Sequence, residues 1–121
     1  MPVRAIRGAT TLDSDSPEQV NSRVHALMSA IMERNGLVPE DLISVLFTST
    51  PDVASMFPAT AARGLREFSQ VPLMGAQEIE VKGALQRCIR VMVHVETDLP
   101  PGQVRHVFLE GAQGLRRDLH Q

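Results

Sequence analysis

The chain has 121 residues, 43% hydrophobic and 21% charged, which is the balance of an ordinary globular domain with room for one modest core. A net charge of −2, with 4 phenylalanines and neither tryptophan nor tyrosine, offers no pull on phosphate backbones and no stacking platform, so nucleic acid is not an expected partner. No run reaches the ~18 apolar residues that a membrane span needs, and no apolar run follows Arg4 and Arg7 as in a secretory signal, so the expected location is the cytoplasm.

Val3 to Arg7 is short and partly apolar and predicts a first strand closed by Gly8. Ser16-Pro17-Glu18-Gln19 is a strong helix start: Ser16 suits the cap, Pro17 the first helical position, and Gln19 would complete a capping box. Behind it Val20, Val24, Leu27, Met28, Ile31 and Met32 recur at spacings of three and four, an amphipathic stripe that ends at Asn35-Gly36. Pro39 to Asp41 is a turn, and Ile43 to Thr48 is strand-like. Thr50-Pro51-Asp52 breaks that strand, and Pro58 to Arg66 predicts a short helix. Gln70 to Met74 is an expected edge strand, because Pro72 cannot donate to a ladder. Ala76 to Arg87 is ambiguous.

Cys88 to Val95 is the clearest strand, with Ile89, Val91, Val93 and Val95 on one face and Cys88, Arg90, Met92 and His94 on the other. Val104 to Leu109 is the last strand, and residues 111–121 have the composition of a mobile C-terminal tail. The expected fold class is α+β: one domain over residues 1–121, a mixed five-stranded sheet with one long amphipathic helix and one short helix. The mixed second face of the strands suggests self-association.

Chemistry is sparse. No Gly-x-Ser-x-Gly elbow is present, and Cys88 lies in an apolar strand, where a packed thiol is expected. His25, His94, His106 and His120 are scattered, so no metal is expected. Gly8-Ala9-Thr10-Thr11 lacks the spacing and lysine of a phosphate loop. Glu78 and Glu80 would share a face if extended, as solvated glutamates or as a pair for acid–base work. Arginine remains: Arg90 interrupts the best apolar strand, and Arg7 ends the first. A guanidinium there cannot shed its proton and needs a partner, either Glu78, Glu80 or water, or a carboxylate ligand matched to its planar fork.

Arg7-Gly8-Ala9-Thr10-Thr11, Thr50-Pro51-Asp52, Phe57-Pro58-Ala59, Gln77-Glu78, Cys88 to Met92 and Arg105-His106-Val107 together resemble the successive motifs of the AroH-type chorismate mutases, in order from about residue 3 to residue 119. The resemblance implies isomerisation of chorismate to prephenate without a cofactor, on the branch toward phenylalanine and tyrosine. It also implies a homotrimer, a pseudo-α/β-barrel of the chorismate mutase and RidA-like architecture, with sites between adjacent subunits.

By the same resemblance Arg90 would bond the ether oxygen and a carboxylate, Glu78 would take the ring hydroxyl, and Arg7 would bind the side-chain carboxylate. Phe57, Ala59 and Leu115 would form the apolar wall, Met74 and Gly75 would line the substrate pocket, and Arg63 and Arg116 would stand at its mouth, with the tail as a lid. The chain departs from the pattern at Phe108, where the family usually has tyrosine, at Thr60, where it has lysine, and at Gly75, where it has cysteine. Phe108 and Gly75 lack a polar side-chain group and Thr60 lacks a positive charge, which predicts weaker substrate binding in an active enzyme. Two other readings stand beside this one: a RidA-like imine hydrolase, whose motifs the chain does not carry, and a non-catalytic small-molecule-binding trimer of the same fold, supported only by Phe108.

Overall fold

A computed structural model describes residues 1–115. Strand β1 runs Val3–Thr11 and does not stop at Gly8. Gly8 is there for close approach: a Cβ on it would lie 2.9 Å from Ile31 Cδ1, 3.1 Å from the Val107 carbonyl and 3.1 Å from Val91 Cγ1.

Helix α1, Pro17–Arg34, follows the apolar stripe and buries Val20, Val24, Leu27, Met28 and Ile31. Ser16 Oγ accepts from the Gln19 amide at 3.2 Å, as expected. The capping box is not completed, because Gln19 Oε1 accepts from Asp13 N at 2.8 Å and so fixes the preceding loop. Asn35 ends the helix and Gly36 takes the left-handed turn at φ 61°.

Strand β2 is Leu42–Ser49. Helix α2 is Pro58–Arg63, shorter than expected; Gly64 ends it, Leu65 turns extended, and a 3-10 turn at Arg66–Phe68 buries Phe68. Strand β3 is Leu73–Gln77, displaced toward the C-terminus from the expected Gln70 to Met74. Pro72 stays outside it, since it has no N–H to give, and its carbonyl accepts from Val45 N at 3.0 Å.

Strand β4 is Cys88–Glu96. Strand β5 is only Val107–Phe108, not Val104 to Leu109. Side chains take its missing ladder bonds: Asn35 Oδ1 accepts from Arg105 N at 2.8 Å, its Nδ2 donates to the Arg105 carbonyl at 2.9 Å, and His106 Nδ1 accepts from Arg7 N at 2.9 Å.

The sheet order is β3-β2-β4-β1-β5. β4 is antiparallel to both neighbours, while β2–β3 and β1–β5 are parallel, so the sheet is mixed and β3 is an edge strand. The two helices cover one face, where Ile6, Val45, Phe47, Ile89, Val91, Val93 and Val95 meet the α1 stripe. The opposite face carries Arg7, Leu46, Thr48, Arg90, Met92 and His94, all at least partly accessible. Gly111 and Ala112 are not loose: the Gly111 amide donates to Thr11 Oγ1 at 2.9 Å and Ala112 is fully buried, so the expected tail does not begin at residue 111, and its last residues, 116–121, lie outside the described residues. Arg116, expected at the mouth of the site, lies outside the described residues.

Candidate active site

The strand registers lay out the open face as rows. Phe108 pairs with Ala9, Ala9 with Arg90, Arg90 with Thr48, and Thr48 with Ala76, one line across the whole sheet. The next row is Arg7, Met92, Leu46 and Met74. Arg7 is therefore the diagonal neighbour of Arg90, a backbone separation of about 7–8 Å, within reach of one small dianion for two long side chains.

Glu78 follows the last residue of β3, and its amide donates to the Ser49 carbonyl at 2.9 Å. Its Oε2 accepts from Thr48 Oγ1 at 2.7 Å and lies 3.2 Å from Arg90 Nε. That Nε is buried, and its N–H is not aimed at the carboxylate, so the contact is an ion pair without a hydrogen bond. The two side chains keep 36% and 21% of their surface, so both are open to a ligand. Of the two partners weighed for Arg90, Glu78 holds the place and Glu80 is exposed. The chain leaves its ladder after Gln77, so no face-sharing Glu78–Glu80 pair forms.

Phe108 is 4% exposed and packs with Ala9, Cys88 and Ala112, with Leu85 and Leu115 at the margin. Burial pushes the Cys88 thiol up, against the opposing pull of the Arg90 guanidinium. It is a packed thiol, as its strand position predicted.

The remaining expected residues meet elsewhere. Phe57, Ala59, Thr60, Arg63, Met74 and Gly75 line one cleft of about 820 Å³ between α2 and the β2–β3 edge. Phe57 is 78% and Met74 67% exposed there. Thr48 lines the cleft as well, whereas Arg7, Glu78 and Arg90 do not. The chain thus carries a charged group on its open face and an apolar group at its edge.

Two aspartates to which the sequence reading gave no role in the site, Asp52 of the Thr50-Pro51-Asp52 motif and Asp15, hold the loops around these groups. Asp52 accepts from the Arg87 amide at 2.9 and 3.0 Å and from Thr50 Oγ1 at 2.5 Å, steadying the left-handed residue (Arg87, φ 47°) that leads into β4. Asp15 accepts from Ala54 N, Ser55 N and Ser55 Oγ at 2.9, 3.2 and 2.6 Å. The Ser55 hydroxyl foremost, with those amides, holds its carboxyl below the ordinary value despite some desolvation. The available signal was the Thr-x-Asp pattern of Thr50-Pro51-Asp52, a side-chain turn at a strand end.

Chemically, a cation and an anion sit side by side on a rigid sheet. Such a pair can stabilise separating charge and bind a carboxylate. Among the described residues no group of three or more His, Cys, Asp or Glu is placed to hold a metal ion.

A family model described as chorismate mutase type I matches residues 3–119. The chain is similar to chorismate mutase AroH of Bacillus subtilis (strain 168), 44% identical over 119 residues, covering 98% of this chain and 94% of the relative. It is similar to chorismate mutase AroH of Thermus thermophilus, 45% identical over 118 residues, covering 97% and 96%. A solved chorismate mutase from Clostridium thermocellum superposes with a TM-score of 0.87 at 42% identity, over 90% of this chain and 96% of that one.

Proposed function

Because the chain belongs to the chorismate mutase type I family, we propose that the Arg90–Glu78 pair on the open sheet face is its reaction centre. The protein is an isomerase that converts chorismate to prephenate, in aromatic amino acid biosynthesis. The reaction is an intramolecular 3,3-sigmatropic rearrangement, so the work is to fold the enolpyruvyl ether over the ring and to stabilise charge as the C–O bond breaks.

Arg90 donates to the ether oxygen, where negative charge grows, and to a carboxylate. That interaction strengthens in the transition state and so raises the rate as well as the affinity. Glu78 accepts from the ring hydroxyl and faces the ring as it becomes positive. Arg7, diagonal to Arg90, takes the side-chain carboxylate with its planar fork. Phe57, Ala59, Met74 and Gly75 supply the wall, Leu115 lies beside Phe108 at the far end of the row, and Arg63 with Arg116 steers the dianion at the mouth. Cys88 takes no covalent part.

The observation that carries this reading is the placement of Arg90: a guanidinium on a largely apolar strand, paired at 3.2 Å with Glu78 and turned away from the helices. The same reading has the site completed by a neighbouring subunit of a homotrimer that works in the cytoplasm, and the placement of the wall residues in a separate cleft of the chain supports it. The exposed apolar side chains of Phe57, Met74, Ile79 and Val81 supply surface to bury in such an assembly. The deciding experiment is a direct assay of chorismate loss and prephenate formation by the wild type and Arg90→Ala. Turnover by the first alone supports the assignment, and equal turnover by both refutes it.

A further inference from the structure

We propose that Thr48 is a positioning residue for this reaction, its hydroxyl holding the Glu78 carboxylate in place beside Arg90. The inference rests on the reading of Glu78 and Arg90 as the reaction centre.

Glu78 stands just past β3, outside any ladder, on a side chain with three rotatable bonds. β4, which carries Arg90, is not a neighbour of β3: β2 lies between them. The carboxylate must therefore reach across β2, and Thr48 is the β2 residue in that row, paired with Arg90 on one side and Ala76 on the other. The end of β2 grips Glu78 twice, through the Ser49 carbonyl to its amide at 2.9 Å and through Thr48 Oγ1 to Oε2 at 2.7 Å. Oε2 is also the oxygen facing Arg90 Nε at 3.2 Å.

The shared oxygen explains an otherwise odd feature, a buried Nε–H beside a carboxylate without a hydrogen bond to it. The Thr48 hydroxyl occupies a lone pair that the guanidinium would otherwise claim. Without it the carboxylate can swing until the two charges close into a forked pair, the stable arrangement for arginine and glutamate. A closed fork leaves fewer guanidinium donors for the ether oxygen and turns Glu78 from the ring hydroxyl. Thr48 also lines the cleft with Phe57 and Arg63, so it stands at the seam between the charged and apolar parts of the site.

The test is a set of steady-state kinetic measurements on Thr48→Val and Thr48→Ser. Valine keeps the branched shape that a strand accepts and removes only the hydroxyl. Thr48→Val should lower kcat about ten- to hundredfold, the worth of a hydrogen bond to a charged group, with a smaller change in KM. Thr48→Ser should restore most of that loss. In a Glu78→Ala background, adding Thr48→Val should cost nothing further, because the hydroxyl then has no carboxylate to hold.

Wild-type kcat in Thr48→Val overturns the proposal. So does an undiminished loss in the Glu78→Ala background, or a serine variant as impaired as the valine one. Should Thr48→Val fail to fold, Thr48→Ser and Thr48→Ala carry the same comparison. Full activity in Glu78→Ala alone refutes the assignment of the reaction centre instead, so the two failures are distinguishable.

Discussion

Arg90 and Glu78 reach toward each other over Thr48, Nε 3.2 Å from Oε2, on the face of the sheet opposite α1 and α2. An ion pair whose two side chains both remain partly exposed adds little to stability, about 1 kcal/mol. It is better explained as a preorganised dipole for a reaction that separates charge. Arg90→Ala should therefore lower kcat/KM by about a thousandfold or more, while thermal unfolding changes by only a few degrees. Arg90→Lys should be almost as damaging, since a compact ammonium cannot serve an ether oxygen and a carboxylate together. Near-normal kinetics in Arg90→Ala would remove the mechanism.

The split between the charged face and the apolar cleft predicts complementation. Arg90→Ala and Arg63→Ala should each be inactive or strongly impaired alone. Co-refolded, they should regain activity, because some interfaces then combine an intact Arg90 with an intact Arg63. Light scattering should report three subunits. A fully active monomer would show that one chain completes its own site.

Much of the fold was legible because it depends on local pattern. The α1 stripe and the alternation of β4 are periodicities that packing against a sheet only reinforces. The shortness of β5 was not legible, since it depends on Asn35 and His106 supplying side-chain bonds from distant positions in the chain. The position of β3 was missed because Pro72 marks the start of the strand, not its interior. In the site, Arg90 announced itself as a charge in an apolar strand. That Glu78 was its partner, and that Thr48 stood between them, depended on strand order, which no local pattern encodes.

Gly8 illustrates the same limit. As the end of a strand it would tolerate alanine. In the sheet it faces Ile31 of α1, and an added Cβ would come within 2.9 Å of the Ile31 methyl and 3.1 Å of the Val107 carbonyl. The methyl can yield and the backbone cannot. Gly8→Ala should destabilise the protein by about 1–3 kcal/mol, the usual cost of overpacking. Chemical denaturation measures it, and an unchanged midpoint would mean that α1 moves away freely.

Phe108→Tyr should lower KM for chorismate by up to about tenfold, the low end of the worth of one charge-assisted hydrogen bond. Phe108 lies in the row that contains Arg90, separated from it by Ala9, so a hydroxyl would be added on the sheet face that carries the guanidinium and not on the helix side. The cluster with Cys88 and Ala112 is tight, so unfolding should be followed alongside kinetics. A raised KM together with lost stability would mean that the new oxygen is buried without a partner.

Asp15 sets an acid limit on the order of the loop that carries Phe57. Its carboxylate gathers the Ala54 and Ser55 amides and the Ser55 hydroxyl, and these bonds hold its pKa below the ordinary 3.8. The sign follows from linkage: a carboxyl depressed in the folded state contributes stability that is fully present above its unfolded value and fades as pH falls through the folded one. Asp15 is well exposed, so the effect is local and modest. Amide exchange at Ala54 and Ser55 should be protected at neutral pH and should lose that protection only as pH falls below 3.8, toward the depressed value of the folded state. In Asp15→Asn the two amides should exchange faster than in the wild type at neutral pH, and their protection should no longer depend on acidity. Because Ser55 lies two residues before Phe57, KM should rise in the variant while kcat holds. Equal exchange in the two proteins at neutral pH would show that the Asp15 bonds do not order the loop.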